Sequence, residues 1–371
     1  MSKRARTIRP HLLTSLLSLG LSLGATAAYA SDPIPGDAIA PPVNVNIGLF
    51  YNEFTDAGAV GSPNNGTNGQ DTHLSTDVAV ARYIRTFDVG GLLSGVDVFE
   101  EYFSYLGSQH AGVGNLPSAA PGLLPPIGPA YASLSTQGGF AQPNIGIFTF
   151  PINDPATGTY LVLHPWIAPP ISSFNKDYYL NPAQNTWTYE MEVGFRKTLI
   201  GTPTTRNLTI ELWGEAYLFS PNNDSAAISP AVFADSLPPS YALAHDFINP
   251  AIPGSNPVSP EESQPASFHE EPSEEMRVYL PYEFYPATDA VIAPGLFQSF
   301  GGKQYYVLRN GAKVNPGFTS DDTSTNETQL RLVASSFVTP TLNVALVGEY
   351  DVANRGGPLQ RAVLLRLAKF F

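Results

Sequence analysis

Trp187-Thr188-Tyr189-Glu190-Met191-Glu192-Val193-Gly194-Phe195-Arg196 places its large apolar side chains on odd positions and its charged or small ones on even positions. Successive side chains of a strand point to opposite faces, so this stretch reads as a strand with one oily and one wetter face. Leu208-Thr209-Ile210-Glu211-Leu212-Trp213-Gly214-Glu215 repeats the alternation, and so does Val43-Asn44-Val45-Asn46-Ile47-Gly48-Leu49 near the start. A water-soluble sandwich would show the same pattern. Composition alone leaves open which face meets solvent.

Connection lengths separate the two architectures. Candidate strands fall near 42–53, 73–86, 92–104, 142–152, 159–169, 185–198, 207–219, 276–285, 290–299, 328–338, 341–351 and 359–371. The connections at 54–72, 105–141, 170–184, 220–275 and 300–327 are long, whereas those at 87–91, 153–158, 199–206, 286–289 and Thr339-Pro340 are short; 352–358 is intermediate. Long and short connections alternate in outer-membrane barrels, where external loops lie on one rim and tight periplasmic turns on the other. The fold class is therefore all-β: a transmembrane, antiparallel, up-and-down β-barrel of about 12 strands. An even strand number puts both chain ends on the periplasmic side. The last candidate strand ends on Phe371 with Val363, Leu365 and Leu367 on the same face. Such an ending resembles what the barrel-assembly machinery recognises. Lys369 departs from it and is expected near the periplasmic interface, its ammonium reaching the headgroups.

The first thirty residues carry a basic region (Lys3, Arg4, Arg6, Arg9), an uncharged apolar run from Leu12 to Leu23, and Ala28-Tyr29-Ala30. That order reads as a signal peptide over 1–30, with 31–371 as the barrel and its external loops. No second apolar stretch of spanning length follows, which excludes a helical membrane protein. There is no Cys, so an exported chain would form no disulfides and must be stabilised otherwise, as by a closed sheet. Without the four basic residues of the first region, 15 basic residues face 32 acidic ones, a charge of −17. A nucleic-acid partner is excluded on that balance. The 35 Pro and 32 Gly, with 18 Tyr and 21 Phe, suit turns and aromatic-rich strands rather than helices.

Several short segments occur in an order that resembles one family. They are Asn153-Asp154-Pro155, Thr159-Tyr160-Leu161, Pro165, Pro169-Pro170 and Asn185-Thr186-Trp187. Pro35-Gly36-Asp37, Arg82-Tyr83, Phe87-Asp88-Val89-Gly90-Gly91 and Ser336-Phe337-Val338-Thr339-Pro340 support them. Together they resemble the family named for the meta-pathway of phenol degradation, whose members are outer-membrane transporters. The resemblance spans nearly the whole mature chain; the long seventh connection departs from it. It implies an outer membrane of a Gram-negative bacterium and uptake of small, aromatic solutes, and it carries over no catalytic residue.

If the oily faces meet lipid, the opposite faces line the interior. That set is Asp77 and Arg85; Glu190, Glu192 and Arg196; Glu211, Trp213, Glu215 and Tyr217; Arg331; and Asn343, Glu349, Asp351 and Arg366. Acids outnumber bases in it, which suits a polar conduit with a mild preference for cations. Alternatively, these groups pair across the interior and fill it. Tyr83 shares the Asp77 face and is expected inside, whereas Trp187, Tyr189 and Phe371 are expected in interfacial girdles. Among the loops, Pro121-Gly122-Leu123-Leu124-Pro125-Pro126-Ile127 is apolar enough to fold inward or to pack on its neighbours. Glu261, Glu262, Glu270, Glu271, Glu274 and Glu275 read as one solvated acidic segment.

Signals for catalysis are poor. No metal motif, cofactor motif or nucleophile elbow is present. His164 is the best strand-borne candidate for a Ser–His pair in a lipid hydrolase, which would have to face the lipid. The expected partners are outer-membrane lipids, the barrel-assembly machinery and a small-molecule solute. A structural or adhesive barrel without an open path is the alternative to a channel.

Overall fold

A computed structural model describes residues 32–60, 72–112, 131–134, 136–175, 178, 180–224, 265–308, 311, 313–314, 324–355 and 357–371. The expected signal peptide, Pro121–Ile127, Glu261 and Glu262 lie outside these residues. The chain forms one closed antiparallel barrel. Its strands are β1 (Asn46–Val60), β2 (Leu74–Val89), β3 (Leu92–Tyr105), β4 (Asn144–Asp154), β5 (Thr159–Ala168) and β6 (Thr188–Ile200). They continue with β7 (Asn207–Phe219), β8 (Ser273–Tyr279 and Tyr282–Tyr285), β9 (Ala290–Gly301), β10 (Thr325–Thr339), β11 (Leu342–Arg355) and β12 (Pro358–Phe370). The principal sheet has 14 strand segments; β8 is broken in two and Gly139–Phe140 only edges β3, which leaves 12 wall strands. Each strand pairs with its sequence neighbours, and β12 pairs with β1 to close the ring. The closing seam ends in a reciprocal pair of bonds between Asn46 and Phe371, at 2.9 and 3.0 Å.

Local chemistry accounts for the irregularities. Pro281 interrupts β8 because proline has no N–H to give the ladder, yet its carbonyl still accepts from Thr209 N at 2.9 Å. The β2–β3 turn is Gly90-Gly91, with φ of +62° and +91°, as a tight two-residue hairpin requires. Apart from the short connection of β11 to β12, long connections lie at one rim and short ones at the other, and the short-turn rim corresponds to the periplasmic one of outer-membrane barrels. The outer wall exposes Phe50, Val98, Ile147, Met191, Leu212, Leu296, Leu332, Leu346 and Leu365. An apolar belt of that extent is a lipid-facing surface.

Three expectations need correction. The alternation from Val43 does not begin a strand there. Asn44 takes a left-handed φ of +64°, and β1 starts at Asn46. Glu274 and Glu275 belong to the wall of β8, not to a solvated loop, and Glu270 ends a small external sheet of Pro265–Glu270, Gln304–Leu308 and Lys313–Val314. Finally, β11 and β12 run to Arg355 and from Pro358, so their connection is short rather than intermediate.

Candidate functional site

The lumen is filled from below by the segment preceding β1. Residues 32–45 rise into the barrel and are held at three levels. At the base, Thr86 Oγ donates to the Pro42 carbonyl at 2.8 Å, and Val45 N donates to Thr86 Oγ at 2.9 Å. At mid-height the backbone N–H groups of Gly36 and Ala38 donate to the Glu211 carboxylate at 3.0 and 3.4 Å, and Arg366 donates to Asp37 at 2.6 Å. At the top, Asp32 bridges Arg277 at 2.6 Å and Arg331 at 2.8 Å. Every group in this clamp is part-buried or buried, so each charge needs its partner.

Around the clamp, Arg82 forms a bidentate pair with Asp97, at 2.7 Å from Nη2 to Oδ2 and 3.0 Å from Nε to Oδ1. Arg196 pairs with Glu211 at 2.8 Å. Arg277 gathers Asp32, Glu215 and Glu275, the last at 2.7 Å. Phe297 lies between the Arg277 and Arg331 guanidinium groups, 4.8 and 4.5 Å from its centroid. Stacked, pre-organised guanidinium is the cation best suited to such a desolvated layer. Asp32, Glu215 and Glu275 bring oxygens within 4.8 Å of one another, as do Glu190, Glu192 and Glu215. Arg277 already satisfies the first trio, so that grouping calls for no metal ion.

Nearer the long-loop end of their strands, the inward residues include Glu53, Glu101, Glu190, Glu327 and Asp351. Arg331 of the clamp lies within electrostatic reach of Glu53 and Glu327, and Arg277 within reach of Glu190. Below the clamp the lumen changes character. A cavity of about 470 Å³ lies between residues 33–42 and the wall, with Phe148, Phe150, Tyr160, Trp213, Phe337 and Phe370 among its lining. Gly158, Pro203 and Asp289, all in short turns, also line it, so it reaches the periplasmic rim. Its walls need close packing. Gly95 and Gly194 face Phe148 and Trp213 directly across the ladder, and a Cβ at either would overlap the ring.

Of the residues expected inside, Glu190, Glu192, Arg196, Glu211, Trp213, Glu215, Tyr217, Arg331, Asn343, Glu349, Asp351 and Arg366 face the interior, most of them paired within it. Asp77, Arg85 and Tyr83 do not. They lie on the outer face of β2, where Asn52 donates to Asp77 at 2.6 Å and Tyr83 and Arg85 both donate to Asn46, at 2.7 and 3.1 Å. The inner face of β2 carries Val78, Val80, Arg82 and Ile84 because it packs with the inserted segment and β1, so apolar residues turn inward there. His164 likewise faces the interior, its Nδ1 3.2 Å from Glu192, and not the lipid. Trp187, Tyr189 and Phe371 lie on the exposed outer side.

Sequence reading missed Asp32, Asp37, Glu53, Arg82, Asp97, Glu275, Arg277 and Glu327. Arg277 was within reach, since Glu275, Arg277 and Tyr279 alternate with Met276 and Val278. Asp32 and Asp37 were not, because a coil segment that folds back into a barrel leaves no periodic signal.

The sequence profile of the family described as MetA-pathway of phenol degradation matches residues 55–252. The fold is similar to the crystal structure of an outer membrane channel from Pseudomonas putida F1, with a TM-score of 0.65 and 17% identity over 92% of this chain and 100% of that one. The β domain of a Bordetella autotransporter, BrkA, gives a TM-score of 0.40 at 7% identity over 87% of this chain and 98% of that one, too weak a likeness to add to the argument. No curated protein matches in sequence.

Proposed function

The chain belongs to the MetA-pathway of phenol degradation family, and from that premise we propose that it is a channel of a Gram-negative outer membrane admitting small aromatic solutes by passive diffusion. The observation that carries this reading is the aromatic-walled cavity, which runs from the charged clamp to the periplasmic rim inside a closed, lipid-facing barrel. Ligand sites are concave, mostly apolar and furnished with a few polar groups, and this one has that composition. The residues 32–45 segment stands in the path as a removable stopper, because polar contacts, not covalent continuity with the wall, hold its upper part. The wall residues expected to line the path are those of the charged layer and of the acidic outer half, which favours cations over anions at the entrance. Outer-membrane lipids and the barrel-assembly machinery are the partners such a barrel requires. Nothing in this mechanism calls for catalysis.

Liposome swelling tests the reading. Proteoliposomes in isosmotic aromatic solute should swell faster than protein-free liposomes, and the rate should rise further when residues 32–42 are deleted. Swelling rates equal to the protein-free control for both forms, in protein shown to be folded and inserted, would favour the sealed structural barrel.

A further inference from the structure

In the outer half of the lumen the ladder sets one row of buried residues side by side. Glu275 of β8 stands opposite Ser299 of β9, Ser299 opposite Glu327 of β10, and Glu327 opposite Asn354 of β11. Side chains directly opposite in a ladder are close neighbours on one face. A bulge in the pairing of β10 with β11 adds to this row. Thr328 pairs with Ala353 but Gln329 with Asp351, so β11 carries one extra residue. Val352 and Ala353 are both exposed in consequence, whereas Asp351 and Asn354 are both buried. Bulges re-aim side chains in this way, often beside functional sites. Glu327 is thereby flanked by Ser299 on one strand and by Asp351 and Asn354 on the other.

The carboxyl groups of Glu327 and Asp351 are in hydrogen-bond contact. Two carboxyl groups so placed need a positive charge between them, either a proton or a metal ion. The nearest guanidinium groups are already engaged, Arg331 with Asp32 at 2.8 Å and Arg277 with Asp32 and Glu275 at 2.6 and 2.7 Å. Gln329 Nε2 and Gln360 N donate to Asp351 at 3.0 and 2.7 Å, which orients the carboxylate and leaves a lone pair on each oxygen. Independent of the acids is the hydroxyl of Ser299. It is 3% exposed, lies between Glu275 and Glu327 in the row, and has no hydrogen-bond partner among the described residues. Asn354, 7% exposed, commits Nδ2 to the Pro358 carbonyl at 2.8 Å and leaves Oδ1 unpaired. A buried polar atom left unpaired is costly. Neutral oxygens of this kind beside two touching carboxyl groups are what an oxygen-ligated cation would satisfy.

We propose that Glu327, Asp351 and Ser299, with Asn354 beside them, form a binding site for one divalent cation, calcium in preference to magnesium. The two carboxylates balance the ion's double charge. Carboxylate, hydroxyl and amide oxygens are hard donors, and calcium accepts about six to eight of them in irregular array. Magnesium demands a near-ideal octahedron and gives up its water reluctantly. The site sits at the long-loop end of β9, β10 and β11, the end that faces outward in outer-membrane barrels, and its ion ties three wall strands together. It stands whether or not the lumen conducts, so its failure and that of the channel reading are separate results.

The test is calorimetric titration of the refolded full chain in detergent micelles, stripped of metal with EDTA and exchanged into chelator-free buffer. Calcium chloride and magnesium chloride are the probes, and empty micelles are the blank. Calcium should bind saturably with a Kd of about 0.1–1 mM, and magnesium at least about tenfold more weakly. Glu327→Gln and Asp351→Asn each remove a charged ligand and should weaken calcium by at least about tenfold. Ser299→Ala deletes a hydroxyl that makes no hydrogen bond, so it spares the fold, and it should weaken calcium by about threefold. Heat-modifiable migration checks that each variant is folded. Calcium should also raise the urea midpoint of the parent but not that of Glu327→Gln. Absence of saturable calcium binding by the folded parent overturns the assignment and leaves the carboxyl pair holding a proton. So does calcium binding that Glu327→Gln and Ser299→Ala leave unchanged, which would put the ion on other acids, or magnesium binding as tight as calcium.

Discussion

The outer and periplasmic halves of the lumen are built by the same strands and differ in that aromatic side chains join the polar ones only in the periplasmic half. Toward the long loops the inward positions carry Glu53, Glu101, Glu190, Glu327 and Asp351, whereas toward the short turns they carry Phe148, Phe150, Tyr160, Val162 and Phe337. Between them lies the clamp, where Arg277, Arg331 and Arg366 meet Asp32 and Asp37 of the inserted segment. A barrel interior is therefore not polar by default. It is polar where charges face one another and more apolar where the inserted segment and the aromatic side chains beside the cavity fill it.

Removing the cation at the centre of the clamp should have the largest effect. Arg277→Ala leaves Asp32, Glu215 and Glu275 desolvated without their shared partner, and breaking such a buried set costs about 3–5 kcal/mol. Urea titration of the folded barrel in micelles should show that loss; a variant as stable as the parent would mean the clamp is solvated. The aromatic half is probed by Gly194→Leu. It forces Trp213 from its place and should cost about 1–3 kcal/mol by overpacking, seen as a red-shifted tryptophan emission together with a lower midpoint. Unchanged emission would show that the wall can give.

The acidic half makes a subtler prediction. Glu53→Gln combined with Glu327→Gln, in a form lacking residues 32–42, should move the reversal potential in a salt gradient toward zero from the cation side. Glu211→Gln is not equivalent, although the sequence placed Glu211 in one interior set with Glu190 of the acidic half. Glu211 is bound to Arg196 and to the Gly36 and Ala38 N–H groups, so its change should loosen the inserted segment before it alters selectivity.

The smallest effect lies outside the membrane. Burial pushes the Glu270 carboxyl up to about 8, in the external sheet. A folded-state value above the unfolded one makes this group stabilising at low pH, with that contribution lost as pH rises from about 4.5 through about 8. Amide exchange of Pro265–Glu270 should accordingly quicken between pH 5 and 8 relative to the barrel strands, once intrinsic exchange is corrected for, and Glu270→Gln should flatten that change. An unaltered profile in the variant would assign the change to another group.

Much of this fold was legible in the sequence for physical reasons. Alternation marks strands, and the sorting of long and short connections marks a barrel in a membrane. The inward residues of β6, β7, β10, β11 and β12 were readable because charge on a strand in lipid has to face the interior. On β2 the same rule pointed the wrong way for Asp77, Tyr83 and Arg85. The lumen there is filled by a coil segment that selects apolar neighbours, and the polar groups of the outer face pair among themselves. The cavity was not readable, since its lining comes from the inserted segment and from strands far apart in sequence that meet only through the barrel's closure.

Single-channel recording in planar bilayers tests the central claim, that the lumen is a conduit stoppered by residues 32–45. The full chain should give small or rare steps, and deletion of residues 32–42 should give larger, frequent, cation-preferring ones. Equal silence from both forms, each shown to be folded and inserted, would contradict the account and leave a sealed barrel.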